Sequence, residues 1–202
     1  GFDLNEINID WPENSDRIYF PNMDKLYQIR SNGQNLHLVY QTPDGSLISE
    51  MAASENANLI VLKTNDLNGY NVSFITISKN GNFIDTLISG LPGGASGLDL
   101  SVDNNTIVYS YDISEFQSND YRRLNSRIFT YNISTGDLVD ISNEKPNGTN
   151  DLDPIFAPNE AFVIYTNTSN DGISRKDIYT LEIGVDETRT LLYTDAFMPD
   201  WE

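Results

Sequence analysis

The side chains in this sequence that could do chemistry are few in kind. Cysteine is absent and His37 is the single histidine. Disulfides, thiolate nucleophiles, iron–sulfur clusters and cysteine zinc sites are thereby excluded. So is any mechanism or metal site that needs two histidines. A serine nucleophile on a sharp turn calls for Gly-x-Ser-x-Gly, and Gly94-Ala95-Ser96-Gly97 falls one residue short of it. That stretch, with Pro92 and Gly93, reads as a connector between structural repeats. His37 reads as an ordinary strand residue.

Carboxylates remain, with 30 Asp and Glu in 202 residues. A pair of them can cleave a glycosidic bond, but spatial separation decides this and sequence supplies no distance. Asp151 and Asp153 flank the start of a strand, and their simpler role is turn and loop hydrogen bonding. A hard cation such as Ca2+ could sit on oxygen ligands at Asn65-Asp66-Leu67-Asn68-Gly69 or Asn170-Asp171-Gly172. Neither completes the calcium-loop spacing, and plain Asx turns explain both. The expectation is no cofactor, with Ca2+ as the weak exception.

The most distinctive polar group is basic. Residues 112–127, "DISEFQSNDYRRLNSR", hold Phe116, Tyr121, Arg122, Arg123 and Arg127 in a chain of net charge −18. Arg beside aromatics is the composition of interface hot spots. These five residues are the candidate partner-binding set. The bland alternative is a long hairpin loop whose arginines pair with nearby acids. The overall charge argues against nucleic acid, whose phosphates require Lys and Arg, and against anionic lipid. No window approaches the roughly 20 apolar residues of a membrane span.

The elements that must carry these residues come in repeats. Trp11, Ala53, Leu100, Phe156 and Trp201 each close a short strand, at separations of 42, 47, 56 and 45 residues. The insertion accounts for the longest interval. After a polar break, Ile18, Ile60, Ile107 and Val163 align, as do Phe20, Leu62, Tyr109 and Tyr165. The two positions are two residues apart and share a strand face. A third strand follows (KLYQI, SFITI, RIFTY, DIYTL). Next comes a turn at Asn32-Gly33, Asn80-Gly81, Thr135-Gly136 or Gly184-Val185, then a fourth strand (NLHLVY, FIDTLI, DLVDI, RTLLYT). Asn-Gly supplies the positive φ of tight hairpins. Four short strands in about 45 residues are a propeller blade. In "LDPIFAPNEAFVIYT", Phe156 ends the inner strand and Pro158-Asn159 form the turn. Pro154, lacking an N–H, should sit where the ladder makes no demand on it.

The fourth copy, with Asp151, Pro154, Phe156, Pro158, Asn159, Asp177, Ile178 and Tyr179, resembles the TolB-like (WD40-like, PD40) β-propeller repeat. Glu160 stands where that repeat usually has Gly, and Ala157 where it has Ser. The first and third copies are looser. The second lacks the aromatic and the prolines. The resemblance implies an all-β propeller of about four four-stranded antiparallel blades. One domain is expected over 1–202, with repeats near 4–46, 47–92, 93–146 and 147–195 and a further strand at 196–202. Such propellers usually have six or more blades, so ring closure stays open: a closed ring, an open arc, or completion by another chain. Exposed edges would favour self-association.

The resemblance also implies a periplasmic or cell-surface bacterial protein whose export signal has been removed. The function expected is a non-catalytic binding module for a protein or glycan partner. A propeller-type glycan hydrolase or lyase, or the propeller of a larger exported peptidase or sensor, are the alternatives.

Overall fold

The computed structural model describes residues 8–114, 124–142, 144–170 and 175–200. Those residues form fifteen strands and no helix. Among the described residues, therefore, no helix is long and apolar enough to cross a membrane. The strands build four antiparallel meanders in chain order. They fall in two compact units, Gly1–Gly93 and Gly94–Glu202.

In the first unit, β1 (Arg17–Asn22), β2 (Lys25–Arg30) and β3 (His37–Gln41) make a three-stranded sheet. A four-stranded sheet follows: β4 (Leu47–Ala53), β5 (Leu59–Asn65), β6 (Val72–Ser78) and β7 (Phe83–Leu91). The expected inner strand of the first blade is reduced, among the described residues, to one bridge. Asp10 and Tyr19 exchange both backbone hydrogen bonds, at 3.0 and 2.8 Å. Tyr19, Leu26, Ile48, Met51, Ile60, Leu62 and Ile77 pack into one core between the two sheets. Each such side chain contributes roughly 1.5–3 kcal/mol by leaving water.

The second unit repeats the plan. β8 (Ala95–Leu100), β9 (Thr106–Asp112), β10 (Ser126–Asn132) and β11 (Leu138–Asp140) form one sheet. β12 (Thr149–Phe156), β13 (Phe162–Ser169), β14 (Asp177–Glu182) and β15 (Thr190–Thr194) form the other. Val108, Ile128, Phe156, Val163, Tyr165 and Leu181 fill the space between them.

Several sequence expectations meet their physical reasons here. Gly33, Gly81, Gly136 and Gly184 all adopt φ of 77–78°, which side chains with a Cβ resist. The β12–β13 register shifts between Leu152 and Ile155, so Pro154 sits in a bulge that asks for no N–H. Three readings need correction. Ala95-Ser96-Gly97 is the start of strand β8, not a connector. Gly97 is required there because a Cβ would lie 2.6 Å from the Asp153 Cα and 2.7 Å from the Pro154 Cδ. Asp151 lies within β12 and not in a loop. The aligned apolar pair is buried in the last three sheets, but Ile18 and Phe20 are only half-buried. Tyr19, on the other face of β1, takes the contact with the second sheet.

Candidate functional site

One buried carboxylate and one buried guanidinium of the second unit are engaged with each other. Asp151, with no exposed surface, stands opposite Asn167 in the β12–β13 ladder. Its Oδ1 accepts from Asn167 Nδ2 at 2.8 Å, and its Oδ2 from Ser142 Oγ at 2.8 Å. Arg189 closes the set with a two-pronged pair, Nη1 to Oδ2 and Nη2 to Oδ1, both 2.9 Å. The guanidinium lies 4.5 Å from the Tyr179 ring centroid and 5.1 Å from that of Tyr165. Burial pushes the Tyr165 phenol well above its ordinary pKa. This carboxylate accepts from four donors, an arrangement that ties β12 and β13 to the segments around Ser142 and Arg189. Asp153 is exposed, so the two acids do not form a converging pair.

A second use of carboxylates recurs once in each unit. Asp10 Oδ2 accepts the Ala53 N–H at 2.6 Å, and Asp99 Oδ2 accepts the Phe156 N–H at 2.9 Å. Each acid sits one residue before the strand-closing position of its own repeat. Each amide is that closing position in the next repeat. The contact therefore clasps one sheet to its neighbour. Burial raises the Asp99 pKa, and the amides of Phe156 and Leu100 counteract this only in part.

His37 lies exposed on β3, with its Nε2 3.4 Å from Gln28 Nε2. Ser96 Oγ and Ser110 Oγ are hydrogen-bonded at 2.8 Å. Asp66 accepts from the Asn68 and Tyr70 amides, both at 2.9 Å, and from Asn71 Nδ2 at 2.9 Å. Those bonds, that of Tyr70 foremost, hold its pKa below the usual range and make it an Asx turn. Asp171 and Gly172 lie outside the described residues. Among the described residues, no three His, Cys, Asp or Glu gather as a metal site.

Of the partner-binding set, Phe116, Tyr121, Arg122 and Arg123 lie outside the described residues. Arg127 is on β10, ion-paired with Asp140 and donating to the Ser142 carbonyl at 2.8 Å. The base of the insertion is fixed by buried Asp112. Its Oδ1 accepts from the Ser114 and Asn125 amides, both at 2.9 Å, which brings the two ends together.

One concave feature had no signal in the sequence. In the first unit a groove of about 740 Å³ runs between β3 and the face of β5, β6 and β7. Tyr40 and Phe83 supply rings, and Thr64, Ser73, Thr86 and Ser89 supply hydroxyls. Its one acid, Asp44, is capped by the Ser46 amide at 3.1 Å and the Ser46 hydroxyl at 2.9 Å. Those bonds, the amide's first, hold Asp44 below the ordinary carboxylate pKa. Two smaller cavities of the second unit, of about 350 and 370 Å³, are lined by Asp103, Asp137 and Glu160 and by Asp140, Glu182 and Asp186.

No family model matches the sequence, and no curated protein matches it. Solved structures do. A protein described as TolB from Agrobacterium tumefaciens superposes with a TM-score of 0.70 at 13% identity, over 96% of this chain and 64% of that one. The fold is a TolB-like β-propeller fold. TolB from Acinetobacter baumannii gives 0.64 at 16% identity, over 90% of this chain and 42% of that one. An oligogalacturonate lyase from Vibrio parahaemolyticus gives 0.63 at 11%, over 91% and 51%. The chain thus spans between two fifths and two thirds of the lengths of these proteins. Likeness at such identity fixes the arrangement of strands and leaves function to the residues.

Proposed function

We propose that this chain is a non-catalytic binding propeller of an exported bacterial protein, periplasmic or on the cell surface. The supporting observation is how its acids are used. Asp151, Asp10 and Asp99 hold Arg189 and the backbone amides of neighbouring sheets, and Asp44 is capped by Ser46. Acid–base chemistry needs a carboxyl in reach of substrate with its proton free to move. The TolB-like fold agrees with an exported module.

The reading places a protein partner on the insertion between β9 and β10, through Phe116, Tyr121, Arg122 and Arg123. Asp112 fixes the base of that segment. A segment that starts and ends at fixed points loses less entropy on binding. Arg127, already paired with Asp140, belongs to this base more than to a contact surface.

The test has two arms. The intact chain is incubated with polysaccharides and peptides, and no turnover is expected. The triple variant Phe116→Ala, Tyr121→Ala, Arg122→Ala is then compared with the parent in partner binding. It should lose binding while keeping its unfolding midpoint. Turnover of any substrate would overturn the non-catalytic reading, and undiminished binding would remove the insertion from it.

A further inference from the structure

We propose that the groove of the first unit binds an uncharged oligosaccharide. This rests on the binding reading above and names a ligand class for a second surface of the same chain.

The sheet puts unlike groups side by side. Thr64 stands opposite Ser73 in the β5–β6 ladder, and Ile75 opposite Thr86 in the β6–β7 ladder. Ser73 and Ile75 are two residues apart, so these side chains share one face. The groove thus has a floor of hydroxyls with an apolar centre at Ile75. Phe83 is 54% exposed, although its cross-strand partner Ile77 is fully buried in the core. An exposed ring at the mouth of a concave site is a platform waiting for a flat apolar face. The half-buried Tyr40 supplies a second ring from the neighbouring sheet.

Sugars match this surface in both respects. The C–H face of a pyranose ring packs on an aromatic face, and its hydroxyls donate and accept at once. The Ser73, Thr86 and Ser89 hydroxyls do the same. A volume of about 740 Å³ lies in the range of small-molecule sites. Charge decides which sugar. The groove carries no Lys or Arg and one carboxylate, in a chain of net charge −18. A polyuronate would bring charge of the same sign with no cation to receive it. A peptide is a poorer match. Strand-like peptides pair with backbone at a sheet edge, and this floor is a sheet face.

The test is calorimetric titration of the full chain with neutral galactomannan and xyloglucan oligosaccharides, and with oligogalacturonate as the anionic control. Binding of at least one neutral oligosaccharide is expected, with the anionic one at least tenfold weaker. Phe83→Ala should weaken the neutral ligand about tenfold. Thr86→Tyr, which fills the floor from an exposed position, should abolish binding. Both variants should keep the parent's unfolding midpoint, read alongside. The proposal is overturned if neither neutral probe binds, if oligogalacturonate binds as well as they do, or if both folded variants bind like the parent. Loss of partner binding in the insertion variant, with the groove silent, would retain the binding reading and discard this site. Turnover of the oligosaccharide would discard the non-catalytic reading and keep the site.

Discussion

In the first pair of sheets Asp10 accepts the Ala53 amide, and in the second Asp99 accepts the Phe156 amide, at the same position of the repeat. The clasp is shared, and what surrounds it is not. The first pair opens a groove of hydroxyls and rings with one capped acid. The second lines two of its cavities with six acids and buries a further one against Arg189. Scaffold chemistry repeats because each sheet must be fixed to the next. Surface chemistry varies because nothing in the packing dictates it. The difference separates residues that hold the fold from residues available to a ligand.

The comparison breaks most severely at Asp151. Asp151→Ala leaves the Arg189 guanidinium buried against two tyrosines without its partner. A loss of about 3–5 kcal/mol is expected in urea unfolding. Exposed pairs in the first unit, such as Arg17 with Asp16, should cost under about 1 kcal/mol when broken. Next comes Gly81→Ala. Its φ is 77° and a Cβ would lie 1.8 Å from the Val39 carbonyl oxygen, so β3 must shift. A cost of about 2–3 kcal/mol is expected from the same unfolding curves.

The clasps themselves should differ. Asp99→Ala strands the Phe156 amide and should cost about 1–3 kcal/mol. Asp10→Ala should cost less, because Ala53 is only half-buried where Phe156 is buried, so water reaches the stranded amide more readily. Asp99 also predicts a pH dependence. Its folded pKa is raised by burial and by the charges of Asp200 and Glu160. Below its unfolded pKa it is protonated in both states and contributes no penalty. As pH climbs through the interval up to the raised folded value, the native state holds more protons and stability falls. The penalty is fully present above that value. Asp99→Asn should flatten this part of a stability–pH profile.

The smallest effect is expected at Glu160. It occupies φ of 55°, where Gly would be relaxed, yet its carboxylate accepts the Val102 amide. Glu160→Gly trades strain against that bond and should shift the midpoint by under about 1 kcal/mol.

Strand order, turns and the Pro154 bulge were legible in the sequence because they depend on local geometry. Asn-Gly between two alternating runs supplies the positive φ of a tight hairpin, as at Gly33 and Gly81, and proline avoids ladder positions by its own chemistry. The burial of Tyr19 in place of Ile18 and Phe20 was not legible. Which face of a strand is covered depends on a neighbouring sheet, and the β1 pattern alternates equally well either way. Asp151 could be singled out, but its partner Arg189 lies 38 residues away and carries no mark of pairing. The clasp acids are visible as Asp10 and Asp99 beside Ala52 and Ile155 at the same repeat position. Only the hydrogen bonds say what they do. The groove left no trace in the sequence, because its lining comes from separate strands of two sheets and no spacing links them.

The central claim is that the acids at these positions are spent on joining sheet to sheet. Amide hydrogen exchange at Ala53 and Phe156 tests it most directly. Asp10→Ala should speed exchange at Ala53 and leave Phe156 alone, and Asp99→Ala should do the reverse. Unchanged exchange at both amides in both variants would contradict the account and return these carboxylates to the search for chemistry.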